Sequence, residues 1–266
     1  MTSADEHTIG RLVDRMDGLL REMDTEDSPL RVFLATYTRT TRAVGTALQD
    51  ARFEDPAWVE EWDVVFADLY LDALEAYRRD PSSAPRPWRI AFGADPRLAP
   101  ETRLLLGMNA HINYDLPQAL IAVLPPEDIQ NSRVMDRRRR DHERIDDILA
   151  SRVAAEDTEL AKAGGGRRVL DRVLAPLNHV ATKRFLKEAR LKVWHNTLAL
   201  HEARLRGEQA YAERLHELDV LSSARVNDLL RPGPVIVRLG LAGFGVTLPP
   251  SLSASPAAPP STTRPA

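Results

Sequence analysis

The chain of 266 residues contains no cysteine. Disulfide cross-links, thiolate-held zinc, cysteine-ligated iron–sulfur clusters and thiol nucleophiles are thereby excluded. Any metal must be held by histidine, carboxylate or another oxygen donor, and histidine is itself scarce at seven residues. Charge of one sign is also missing: 36 basic against 39 acidic residues leave a net charge of −3. That balance argues against nucleic-acid binding through global charge, so no nucleic-acid partner is expected. Lysine is nearly absent, supplying four of the 36 basic residues, a bias that reads as codon usage. Long apolar runs are lacking as well. None approaches the ~20 residues of a membrane helix, and the polar start MTSADEHTIG has no apolar signal core. A cytoplasmic protein without an integral membrane segment is expected.

What is present is 43% hydrophobic residues, enough for a proper core, and apolar spacing of three and four residues throughout. Ile9, Leu12, Val13, Met16, Leu19, Leu20 and Met23 trace one amphipathic face. The pattern predicts further helices over Leu30 to Gln49 and from Asp55-Pro56, cap and first turn, to Arg79. A loop holding five prolines is predicted over Asp80 to Pro100. Helices then follow over roughly Glu101 to Val123, interrupted or kinked at Pro117, and over roughly Glu127 to Ala154. After a Gly164–Gly166 hinge, two more fit Arg167 to Arg206 and Gln209 to Leu230. The fold class is therefore all-α: a single bundle-like domain of about seven helices over residues 5–232. An irregular apolar tail over 233–250, with Val235–Val237 the one strand candidate, is expected to pack on the body. A Pro/Ser/Ala-rich, disordered tail is predicted over 251–266.

The most informative string is RLLLGMNAHINYDLPQAL, Arg103 to Leu120. Between Leu104 and Ala122 the only formal charge is Asp115, so the helix reads as buried on most sides. His111 and Asp115 fall on one face, one turn apart. Burying that carboxylate demands a partner. A hydrogen-bonded structural pair meets the demand, and so does a metal ion reached by both side chains. Asn109 and Asn113 add amides that a helix interior disfavours. On the helix before, Asp63 and Tyr70 edge the apolar face formed by Trp58, Trp62, Phe66, Leu69, Ala73 and Tyr77. On the helix after Pro126, Asp141 shares a stripe with Ile145 and Ile148, His142 and Asp146 repeat the His/Asp spacing, and Arg137 to Arg140 could pair with phosphate. Arg190, flanked by Leu186, Val193, Trp194 and Thr197, could partner a buried carboxylate, with His195 nearby. Glu213 with His216 is the only Glu-x-x-His pair, whereas a ferritin-like di-iron bundle needs two.

Phe66-Ala67-Asp68-Leu69-Tyr70, Trp88, Gly107 to Pro117 with its A-H-I-N-x-D-L-P core, Asp141 with Ile145, and Arg190 with Trp194 together resemble a helical bacterial family of unknown function. The resemblance spans roughly Asp55 to His201. One branch of that family is associated with non-haem di-iron monooxygenase chemistry on acyl-thioester intermediates. The resemblance implies that His111, Asp115, Asp141 and Asp63 are metal ligands, with Asn113, Tyr70 and Arg190 as catalytic side chains. The cofactor implied is iron, as a di-iron pair, or another divalent metal. At Asp146 the family's pattern favours asparagine. The expected function is a metal-dependent enzyme, a non-haem iron oxygenase acting on a small hydrophobic or acyl-thioester substrate. A metal-dependent hydrolase using the same ligands is one alternative. A non-catalytic protein whose His111–Asn113–Asp115 cluster is a structural network is the other.

Overall fold

The computed structural model describes residues 8–25, 28–145, 148, 179–232 and 243–250, and among them the regular structure is entirely helical. Helix α1 (Ile9–Thr25) buries Ile9, Leu12, Met16 and Met23 against α2 (Arg31–Gln49), and the short turn at Ser28-Pro29 folds the two into a hairpin. The central helix α3 (Pro56–Arg79) begins where the sequence marks it. The Asp55 side chain accepts from Trp58 N, and Pro56 occupies the first turn, where no N–H is needed. Its long buried face carries Trp58, Trp62, Phe66 and Tyr70.

The proline-rich stretch after α3 is not the loop expected from its composition. A single 3-10 turn (Pro81–Ser83) leads into a short helix, α4 (Arg86–Phe92), that packs on later helices. Pro87 lies in the first turn of α4, where proline is tolerated, so it starts the helix rather than preventing one. This helix buries Trp88 completely.

The next segment is helical from Pro100 to Ala122 in three pieces: α5 (Pro100–Ala110), a π turn (His111–Asp115) and α6 (Leu116–Ala122). Pro117 is the reason. It cannot donate to the carbonyl one turn earlier and its ring crowds that carbonyl. The chain answers by widening the turn, with Leu116 N donating to His111 O, five residues back. The proline therefore interrupts the regular helix, as expected, and does so through a π turn. Beyond α6 the backbone carbonyls of Ile121, Val123 and Leu124 are taken by Arg204 and by Trp58 Nε1.

The helix expected from Glu127 is divided at Asn131 into α7 (Pro126–Gln130) and α8 (residues 132–145), with Asn131 Oδ1 capping the start of α8 through the amides of Arg133 and Val134. The last two helices, α9 (His179–Arg206) and α10 (Glu208–Leu229), turn back on each other at Gly207. Residues 243–250 then run as an extended strap across the body, with Phe244 and Leu248 buried. The packed tail is thus observed for these residues. The Gly164–Gly166 hinge, the Val235–Val237 strand candidate, Asp146 and the tail over 251–266 lie outside the described residues. No helix of the described residues is long and apolar enough to cross a membrane.

Close packing of α2 on α5 depends on one glycine. A Cβ at Gly107 would lie 2.5 Å from the Phe33 ring, which itself packs on Tyr70 and Trp88. Gly107→Ala is expected to lower stability by roughly 1–3 kcal/mol in urea denaturation, because overpacking must displace a ring wedged among others.

Candidate functional site

The π turn brings its first and last residues together in the core. His111 Nδ1 lies 2.8 Å from Asp115 Oδ2, and the same oxygen accepts from Trp88 Nε1 at 2.8 Å. Both members of the pair are almost fully buried, at 3% and 1% exposure. Burial drives the His111 pKa well below its usual value, so the imidazole is neutral. Burial raises the Asp115 carboxyl, and the Trp88 hydrogen bond works against that rise. Trp88 can only donate, so Oδ2 accepts from it; with Asp115 ionised, the His111 proton sits on Nδ1. In that state Nε2 carries a lone pair, and it has no hydrogen-bond partner among the described residues.

Aromatic rings enclose this imidazole. Phe66 stacks on it face to face at 3.6 Å, and Tyr37 meets its edge at 4.6 Å between centroids. Phe33, Tyr70 and Trp88 complete the box at 5.8, 5.9 and 5.8 Å. The hydroxyls of Tyr37 and Tyr70 are buried and, like His111 Nε2, without a partner among the described residues. Both phenols are pushed up by burial and stay protonated as donors. A buried polar atom without a partner costs about 1–3 kcal/mol, and three such atoms lie on neighbouring rings here. Asp63, one turn before Phe66 on α3, has an open Oδ2. Its negative charge, with that of Asp115, raises the Tyr37 hydroxyl. Burial pushes Asp63 itself up to about 7, with Glu60 adding to the effect.

A small cleft lined by Leu30, Phe33, Trp88, Phe92, Arg103 and Gly107 has room for about one water molecule and ends on two walls of the box, Phe33 and Trp88.

The sequence pattern of a family of unknown function, DUF5995, matches residues 9–232. This chain belongs to the DUF5995 family. No curated protein and no solved structure matches it.

The remaining residues expected at the site fall elsewhere in this DUF5995 chain. Asp141 uses both oxygens on the backbone amides of Glu54 and Asp55, each at 2.8 Å, and one on Arg144 at 2.5 Å. It anchors the start of α3; its stripe correctly marked it as inward-facing, but toward a loop. The arginine run around it is spent internally too. Arg137 and Arg138 pair with Asp55, Arg140 pairs with Glu54, and Arg139 lies over the Trp194 ring. Asn113, expected to be catalytic, uses its amide on Asn109 Oδ1, Phe244 O and Val246 N. The widened turn directs it to the strap rather than to the dyad. Arg190 acts on α8, where its charge meets Glu143 and helps, after burial, to push His142 down to about 3. His195 Nε2 meets the Leu248 carbonyl. Tyr70 is the expected catalytic residue that does stand beside His111. Tyr37 is the participant that sequence reasoning missed. Its place one turn after Phe33 on the buried face of α2 is the signal that points to it.

The expected ligand set is not assembled by these residues. His111 and Asp115 spend Nδ1 and Oδ2 on each other, and among the described residues no three His, Asp or Glu side chains converge as a metal-holding group. Two open donors, His111 Nε2 and Asp63 Oδ2, fall short of the several carboxylates and histidines that a di-iron centre uses. The described residues do not fit a di-iron pair.

The Asp63 carboxyl yields a stability prediction. Its folded pKa is raised above the unfolded value, so the folded state binds the extra proton and stability is lost as pH rises from about 4 through about 7. Asp63→Asn should remove that loss. At pH 8 the variant is expected to be more stable than the wild type by roughly 1–3 kcal/mol, and at pH 4 to differ little, as read from thermal unfolding across this range.

Proposed function

We propose that the protein is an enzyme whose working group is His111 Nε2, presented by Asp115, and that it acts as a proton acceptor on a small apolar substrate bearing a carbonyl. The observation that carries this reading is the open nitrogen of an imidazole whose other nitrogen is committed to a buried carboxylate. That arrangement fixes the ring orientation, and an ionised Asp115 would offset part of the burial that lowers the basicity of the ring. In the proposed step Nε2 takes a proton from the carbon next to the carbonyl. The electron pair of the broken C–H bond moves onto the carbonyl oxygen, where the Tyr37 and Tyr70 hydroxyls donate hydrogen bonds. An acyl thioester with a short apolar chain has the required acidic C–H, carbonyl and hydrophobic body.

A solvent-exchange assay tests this directly. In D2O, short-chain ketones and acyl thioesters are offered to the protein and deuterium uptake next to the carbonyl is followed by mass spectrometry. The wild type is expected to label at least one chain length, and His111→Gln to be slower by a factor of about 100 or more. Absence of labelling across the panel, or equal rates in the variant, contradicts the reading.

The competing reading is metal-dependent oxygenase chemistry, with iron or another divalent metal held in part by His111 Nε2 and Asp63. Its specific support is that these two donors are both open. Elemental analysis after anaerobic loading separates the two. Stoichiometric metal that disappears in His111→Ala would replace the proton-transfer reading with the metal one, whereas metal-free wild type eliminates the metal reading.

A further inference from the structure

Phe244 to Leu248 lie extended, and their backbone is read by side chains of the helical body. Asn113 donates to Phe244 O at 3.1 Å and accepts from Val246 N at 3.0 Å. Asn196, on α9, repeats the pattern two residues on, donating to Val246 O at 3.0 Å and accepting from Leu248 N at 2.8 Å. Each amide thus makes the pair of hydrogen bonds that a neighbouring β-strand would make. Asn109 supports the first pair at Phe244 O, and Lys192, His195 and Arg214 hold the carbonyls of Gly245, Leu248 and Pro249.

Side-chain recognition is confined to alternate positions. Phe244 joins the main core and Leu248 a second core cluster, with Val246 partly buried against that cluster and Thr247 exposed. At Gly245 a Cβ would lie 2.7 Å from Lys192, so that position favours a small residue. The readers and the strap also differ in family membership. Asn109, Asn113 and Asn196 lie inside the matched stretch 9–232, whereas the strap lies beyond it. Asparagine is a poor choice for a helix interior on propensity grounds, so its repeated use here calls for a ligand-reading role.

We propose that the groove between the π turn and α9 is a binding site for extended peptide backbone, filled in this chain by its own residues 243–250. Its occupant in trans is an extended peptide of the same chemistry: a large aromatic residue, a small one, a branched apolar one, any residue, then leucine. The amides supply strand-like backbone pairing and the two end pockets supply selectivity. The strap is then a competitor in cis, present at high effective concentration. This inference is independent of the acid–base reading of His111, since it rests on the opposite side of the turn.

The test uses the full chain and a labelled synthetic peptide of sequence GFGVTLPP, with binding followed by fluorescence anisotropy. A strap-weakened variant carrying Phe244→Ala and Leu248→Ala is expected to bind the peptide, and the wild type to bind it at least about ten-fold more weakly. Adding Asn196→Ala to the weakened variant should cost a further factor of about ten. Failure of a folded strap-weakened variant to bind, or binding indifferent to Asn196→Ala, overturns the proposal. The wild type provides a second measurement that needs no folding of variants. Excess unlabelled peptide should accelerate hydrogen exchange at the Val246 and Leu248 amides, and unchanged exchange at saturating peptide overturns the proposal equally.

Discussion

Pro117 has no N–H to offer the carbonyl one turn before it, and an α-helix running through that point would lose a bond and gain a clash. The π turn over His111–Asp115 absorbs both costs, with the Leu116 amide reaching back to His111 O. Much of what distinguishes the molecule follows from that widened turn. It sits in an almost wholly apolar helix, so every polar side chain on it must find a partner inside the protein. His111 and Asp115 find each other on the side facing α2, α3 and α4. Asn113 finds Asn109 and the strap on the side facing α9.

The two sides differ in how completely their polar groups are satisfied. On the strap side, Asn113 engages both its amide nitrogen and its oxygen, and Asn196 does likewise. On the dyad side, Asp115 Oδ2 is doubly served while His111 Nε2 and two tyrosine hydroxyls have no hydrogen-bond partner among the described residues. Five residues of a single turn connect the two sides.

The helical class was legible in the spacing of apolar residues, because a 3.6-residue period survives any detail of packing; α1, α2, α3 and α10 start and stop within a residue or two of where caps and periodicity put them. The burial of His111 and Asp115 was legible for the same reason, since no other charge lies nearby in sequence. Their mutual hydrogen bond was one of two readings that the spacing left open. What composition concealed was α4: five prolines suggested a loop, although proline in a first turn is compatible with a helix. Trp88 is the donor that fixes Asp115, and it went unplaced with that helix. Asp141 shows the other limit. Its stripe revealed that it faces inward, but only the fold shows that it faces two loop amides, which are contacts more than 80 residues away in sequence. Tyr37 and the strap share that difficulty, because their partners are set by tertiary packing. The family to which the chain belongs carries no assigned function, so the match adds membership without adding chemistry.

The proposed role of His111 turns on its protonation state. Long-range proton–nitrogen NMR of the selectively labelled histidine ring reads both nitrogens at once across pH 5 to 8. The account predicts a neutral ring throughout, protonated at Nδ1 and bare at Nε2, with the Nδ1 proton shifted downfield by its bond to Asp115. A ring protonated at Nε2, or one that titrates as an ordinary exposed histidine in that range, would contradict it.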